Sequence, residues 1–482
     1  MTRHYLMIDL GTGNSRAALL RSDGTILGVE SFENTYHRDD AYEDGLCFLP
    51  AEWKKKIIAA CDALVAAHPD VTIDAVSAAG ARQTIVLFDE QGEDFLALPN
   101  IDNRGRAWMG EVTDKAEIYR RSGKWATEDF DAAKLMGLRK AHPEQYARIS
   151  GLTSVSEWIA AVFTGRLVCE PSQACETQLY DIGKKQWSDW LCGRYGVSPA
   201  LLPQLLAAGA TAGEILPQYR SRFHMAAGAV FIVGGADTQV ALRQTPLARG
   251  DIAVVSGTTS PVVTLTDTQF YDKGERVWTD ANLGADGWLI EMNPGVTGLN
   301  YQRAKEKLFP DWSYDQLEAA YAAKTDFYCT ASFSSLLFYE QRSLRHGGFF
   351  MRSPLAAEFD RLDLIWAVVA DIACATYEQY RALVALTGAG SGALLGCGGG
   401  FRSAALCQML CDLTGRELRL RPGFEQATVM GLVAICNEAF GEQPPAAAAA
   451  EIVYHPRTNQ LIHRHYPVWL QNRTQANGQE DK

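Results

Sequence analysis

Residues 231–242 read "FIVGGADTQVAL". The apolar run Phe231–Val233 is stopped by Gly234 and Gly235, and a single acid, Asp237, follows before "TQVAL". Such a run ended by glycines predicts a buried strand, and the residues after it predict a helix start. An acid at that junction is either a helix cap or a reagent held at the strand's end.

The segments around it carry the same mixture. "YLMID" (5–9), "SRAALL" (15–20) and "GTILGVE" (24–30) are short strand runs separated by turn signals, which predicts an antiparallel meander. "PAEWKKKIIAACDALVAAHP" (50–69) has apolar residues at helical spacing between two prolines. "IDAVSAAG" (73–80) and "TIVLFDEQG" (84–92) read as strands, and residues 131–166 as mostly helix. The fold class expected is α/β. One echo stands out: "MIDLGTGNSRAALL" (7–20) and "AVVSGTTSPVVTL" (253–265) are both strand, Gly-Thr turn, strand. Two such openings predict a duplicated, two-domain chain with a ligand cleft between the halves, divided near residue 245. The expected domains are 1–245, 246–440 and a C-terminal extension, 441–482, with a flexible tip.

Composition narrows the function. The chain has 482 residues, 47% hydrophobic and 21% charged, with a formal net charge of −12. It has no basic run, so neither nucleic acid nor a membrane surface is an expected partner. No apolar stretch reaches the roughly 20 residues of a membrane span, and Asp9 breaks the only early apolar run. The eleven scattered cysteines lack a paired CxxC motif and read as buried thiols, so the expected compartment is the cytoplasm. His463 and His465, in "HPRTNQLIHRHYP", read as part of a solvated tail.

Three glycine-rich turns suit an anionic nucleotide. In "DLGTGNSR", Gly11 and Gly13 permit positive φ and close approach, and Thr12, Asn14 and Ser15 add donors, a nest for phosphate oxygens. Asp9 could hold Mg²⁺ through water, and Arg16 points back over the hairpin. The alternative is a plain hairpin with a capped turn; the echo at Ser256, Gly257, Thr258 and Thr259 favours two loops clasping one nucleotide. In "LLGCGGGFRSAALCQMLCDLTG", Gly398–Gly400 give a flat surface for an aromatic base, before a helix starting near Ser403 whose N-terminus would face an anion. There is no G-x-x-x-x-G-K-[ST], and the G-x-G-x-x-A of "TGAGSGA" precedes a strand instead of following one, which excludes a P-loop enzyme and argues against a dinucleotide fold.

These pieces, in this order, resemble the FGGY carbohydrate kinases of the ribonuclease-H-like, actin-like ATPase superfamily. The likeness rests on "DLGTGNSRAAL", "GGADTQVAL", "SGTTSPVV", "GGGFRSAALCQMLCDLTG" and "EQATVMGLVA". It implies two ribonuclease-H-like domains with ATP and sugar in the cleft. It implies Asp9 at Mg²⁺ and Thr12, Gly13, Asn14 and Arg16 in the first phosphate loop. Gly257, Thr258 and Thr259 would form the second, Gly398, Gly399, Gly400 and Arg402 the adenosine site, and Asp237 would be the catalytic base, also beside the metal. Phosphoryl transfer needs a carboxylate that orients the hydroxyl and accepts its proton. Substrate candidates are Arg82, Gln83, Asp102 with Arg104, and Glu291; Asn100 stands where many members have tryptophan. "ARQTIVLF", "NIDNR" and "SEWIAAVFTGR" look like autoinducer-2 kinases, which act on a linear dihydroxy-pentanedione, while "YEQRSLRHGG" (339–348) is a loose Gly-Glu-Arg motif. The expected activity is transfer of the γ-phosphoryl group of ATP to a small ketose or polyol, with Mg²⁺, in a chain for which a homodimer is the candidate assembly. The competing class is a non-transferring actin-like ATPase or a sugar sensor.

Overall fold

The computed structural model describes residues 2–245, 247–283, 287–334, 347–442 and 450–477. The chain forms two compact units: Met1–Gln244, Asp267–Leu289 and Thr428–Ala446 make the first, and Thr245–Thr266, Ile290–Ala427 and Ala447–Lys482 the second.

In the first unit, β1 (His4–Leu10), β2 (Asn14–Arg21) and β3 (Ile26–Glu33) form the meander. Helix α1 (Pro50–Ala67), β4 (Ile73–Gly80), β5 (Thr211–Glu214) and β6 (Met225–Ala236) follow. The sheet order is β5-β6-β4-β1-β2-β3. β1 pairs parallel with β4, and β4 with β6; the other neighbours are antiparallel. β1 reads as a nearly continuous apolar run because both faces are covered. On one face Leu6, Ile8 and Leu19 pack with Trp53 and Leu64 of α1. On the other, Tyr5, Met7 and Leu20 pack with Val429, Leu432 and Val433 from the late helix Ala427–Ala439.

The other large sheet has seven strands: Trp278–Ala281, then β7 (Ile252–Val255), β8 (Val262–Thr266), β9 (Trp288–Met292), β10 (Leu394–Cys397), β11 (Leu418–Leu420) and β12 (Ile452–Tyr454), which follow it in the order β9-β8-β7-β10-β11-β12. β7 is antiparallel to β8 and parallel to β10, β10 is parallel to β11, and β11 is antiparallel to β12. Across β8-β7-β10-β11-β12 it repeats the order and directions of β2-β1-β4-β6-β5 in the first sheet, so the sequence echo reflects a repeated topology.

Residues 131–166 are mostly helix, as expected: helices Asp131–Ala141, Pro143–Ala147 and Val155–Thr164, with the short strand Gly151–Ser154, paired with Ile85–Phe88, among them. One expectation is corrected. The histidine-bearing segment is not a solvated tail. Helix Leu461–Asn477 buries His465 completely, edge-on to Phe327 and Trp366, and Trp469 Nε1 donates to Asp371 at 2.8 Å. Its apolar positions are interleaved with polar ones closely enough to pass for solvated sequence. Most of "YEQRSLRHGG" and the last five residues lie outside the described residues. All eleven cysteines are free, ten of them buried. Among the described residues, no helix is long and apolar enough to cross a membrane.

Candidate active site

The parallel strands of the first unit end in register. Asp9 lies opposite Ala79, which lies opposite Gly235, and Leu10, Gly80 and Ala236 form the next row. The carboxyl edge of parallel strands is where open α/β sheets bind ligands. Here it presents Asp9 and the 11–14 turn after β1, Arg82 and Gln83 after β4, and Asp237 after β6.

Strand β6 passes into helix α2 (Asp237–Gln244) with no intervening residue. The two glycines make that possible. A Cβ on Gly234 would sit 1.9 Å from the Ala78 carbonyl, and Gly235 holds φ +143, a value that side chains resist. Ala236 N–H donates to Ser172 Oγ at 3.1 Å, and Ser172 donates to the buried Glu170. Asp237 Oδ1 accepts from Thr238 N–H at 2.7 Å. Burial is the main reason its carboxyl is pushed up to about 6; the charge of Asp9 adds to the rise, and Arg82 opposes it. Asp237 is thus both a first-turn acceptor and an acid in the charge field of Asp9 and Arg82.

The first Gly-Thr turn is held by side chains. Arg16 Nε and a terminal nitrogen donate to Asp9 Oδ2 at 3.0 and 2.8 Å. Asn34 donates to the carbonyls of Gly11 and Thr12 at 2.7 and 3.1 Å and accepts from Ser15 Oγ at 2.9 Å. Ser15 is therefore a buried structural residue, not a loop donor. Neither Gly11 nor Gly13 has a positive φ. Gly11 is required by close approach instead, since a Cβ would lie 2.7 Å from the Asn14 carbonyl. Asn100, in the place of a tryptophan, donates to Thr12 Oγ1 at 2.8 Å.

Beside Asp237 lies a buried polar cluster. Gln83, in a left-handed conformation (φ 56), donates to Glu176 Oε2 at 2.8 Å, and its carbonyl accepts from Lys134. Arg82 is 3.8 Å from Glu176, which is 3.4 Å from Lys124; Lys124 pairs with Asp280. The Trp278 ring faces both cations and packs 5.2 Å from Trp125. Asp102 lies apart from this cluster in its contacts. Fully buried, it accepts from Arg104 Nε at 2.7 Å and Leu46 N–H at 2.9 Å.

In the second unit, the Gly257–Thr259 turn joins β7 to β8, with Gly257 N–H bonded to the Thr259 carbonyl at 2.8 Å. The glycines after β10 pack on it. A Cβ on Gly398 would meet the Ser256 carbonyl at 2.4 Å, and one on Gly400 would meet Ser256 Oγ at 2.1 Å, whereas Gly399 faces open space. Two of the three glycines thus serve loop-to-loop packing. Arg402 is exposed. The helix Ala404–Thr414 starts as expected, but its N-terminus is already occupied: Glu318 accepts from Ala405 N–H at 2.8 Å, and Ser403 caps Leu406. It is not the open anion site anticipated. Glu291 is buried on β9 and accepts from Asn293 at 3.2 Å.

Sequence reasoning missed Asn34, Lys124, Glu176, Trp278 and Asp280. No local pattern marks them: Asn34 reaches back to the first turn, and the other four converge from segments as far apart as residues 124 and 280.

A repeated sheet with Gly-Thr turns after the first strand of each copy, and an acid at a strand-to-helix junction, matches solved carbohydrate-kinase structures in fold over the whole chain. The chain belongs to the FGGY family of carbohydrate kinases: the family's N-terminal domain matches residues 4–243 and its C-terminal domain residues 252–440. It is therefore a phosphotransferase with an alcohol acceptor, and kinases of this family use ATP. It is 35% identical to the Bacillus subtilis protein named "Putative sugar kinase YoaC", covering 99% of this chain and 98% of that one. It is 26% identical to the autoinducer-2 kinase of Salmonella choleraesuis, over 98% and 93% of the two chains. In three dimensions it is similar to a "xyloylose kinase" from Brucella ovis, with TM-score 0.85, 19% identity, and 99% and 100% of the two chains covered.

Proposed function

We propose that this sugar kinase phosphorylates a hydroxyl of a small ketose or polyol, with Asp237 as the general base. The observation that carries the reading is Asp237 itself, set at the carboxyl edge of the parallel strands with its carboxyl raised to about 6. A base with that affinity is ionised at neutral pH yet takes a proton more readily than an ordinary aspartate. Arg82 and Gln83, at the end of the neighbouring strand, offer donors to sugar hydroxyls.

Thr12, Gly13, Asn14 and Arg16 are assigned to one set of phosphate oxygens, and Gly257, Thr258 and Thr259 to another. Gly398–Gly400 and Arg402 are assigned to the adenosine. The charge of Asp9 adds to the cost of ionising Asp237, and two such acids are a donor set that suits a divalent cation; Asp9 would hold Mg²⁺ and Asp237 would border it. Bound there, Mg²⁺ would neutralise charge on the phosphates. Asp102 and Glu291 are assigned to the framework around the substrate.

A second reading is an autoinducer-2 kinase, favoured by the whole-length similarity to that group. A coupled ADP-release screen across ketoses, polyols and dihydroxy-pentanedione, run with the wild type and Asp237→Asn, tests both. Turnover of one compound that the variant loses supports the assignment; equal turnover by the variant refutes Asp237 as the base.

A further inference from the structure

Four charged side chains form the centre of the polar cluster beside Asp237. Two cations, Arg82 and Lys124, face two acids, Glu176 and Asp280. Lys124, Glu176 and Asp280 have no exposed side-chain surface, and the side chain of Arg82 is only 10% exposed. Glu176 is the hub, touching Arg82, Gln83 and Lys124.

We propose that Glu176 sets the charge class of the substrate, restricting the site to neutral sugars and excluding those that carry a carboxylate. This rests on the kinase reading above and deepens it. A ligand carboxylate drawn to Arg82 would bring a second negative charge beside one already buried there. Like charges set together without water cost several kcal/mol. A neutral hydroxyl meets no such penalty, because it accepts from a guanidinium or amide and donates to a carboxylate in the same place. Glu176 acts through Arg82 and Gln83, so it is a positioning residue that fixes selectivity.

The test is the ratio of kcat/KM for neutral ketoses and polyols to kcat/KM for the matching aldonates, measured by coupled ADP release on the full chain. The wild type should favour neutral compounds by about a hundredfold or more, as a several-kcal/mol repulsion requires. Glu176→Gln keeps the shape and the acceptor for Gln83 but leaves a cation uncompensated; the ratio should fall about tenfold or more, mainly through the aldonate KM. A general structural loss would lower both substrates together and leave the ratio in place, which overturns the proposal. A wild type that uses aldonates as well as ketoses overturns it without any variant and leaves the kinase reading intact. Turnover of no sugar of either class overturns the kinase reading, and this proposal with it.

Discussion

Replacing Asp237 with asparagine should make the protein inactive and more stable at once. Asparagine keeps the oxygen that accepts from Thr238 N–H and is as good a helix-start acceptor as aspartate. What it removes is a charge that its surroundings desolvate. The carboxyl is displaced from 3.8 to about 6, which at about 1.36 kcal/mol per pH unit amounts to roughly 3 kcal/mol against the ionised form. The folded carboxyl holds its proton more tightly than the unfolded chain does. Wild-type stability from this group therefore declines as pH rises from about 4 to about 6 and is level above. The variant has no such decline, so its advantage should reach about 3 kcal/mol at pH 7.5, or about 5 °C in Tm. It should shrink toward nothing near pH 4. The measurement is urea or thermal unfolding of both proteins across that range, with ADP release recorded at pH 7.5. A variant less stable than the wild type at pH 7.5, or one whose advantage does not change with pH, would refute the argument.

Other outcomes follow from the same geometry. Asp102→Ala leaves Arg104 buried without its main partner, so it should cost about 3–5 kcal/mol of stability, seen as a lower unfolding midpoint, with sugar and ATP kinetics of the surviving protein moving together. Gly400→Ala places a Cβ on Ser256 and should raise the ATP KM, whereas Gly399→Ala enters open space and should change it little; initial-rate kinetics separate the two. His465 is held neutral by burial, its affinity for a proton lowered to about 3, so it stabilises less as pH falls from about 6.5 toward 3. His465→Phe should reduce acid sensitivity, read as a smaller loss of unfolding midpoint between pH 7 and pH 4.

The fold was legible because its signals are local. The Gly-Thr turn between two apolar runs marks the start of each sheet copy, and "FIVGGAD" marks the strand that runs directly into a helix. The functional chemistry was only half local. Asp9, Thr12 and Asp237 sit in recognisable turns, but what tunes them does not: Asn34 clamps the first turn from beyond β3, and Glu176 reaches Gln83 from 93 positions away. Glycines misled in a particular way. Spacing signals that a side chain is absent, yet only atomic contacts tell whether the vacated space holds a ligand or, as at Gly400, a neighbouring serine.

The late helix Ala427–Ala439 gives the first unit an order of assembly. Its Val429, Leu432 and Val433 complete the layer over Tyr5, Met7 and Leu20, and each such side chain contributes about 1.5–3 kcal/mol when buried. A ribosome must therefore translate past residue 439 before β1 is covered on both faces. Until then that apolar face waits in the nascent chain, a natural stretch for a chaperone to guard. A fragment cut at the junction after Gln244 would keep the Asp9 and Asp237 turns but lack this half of its core.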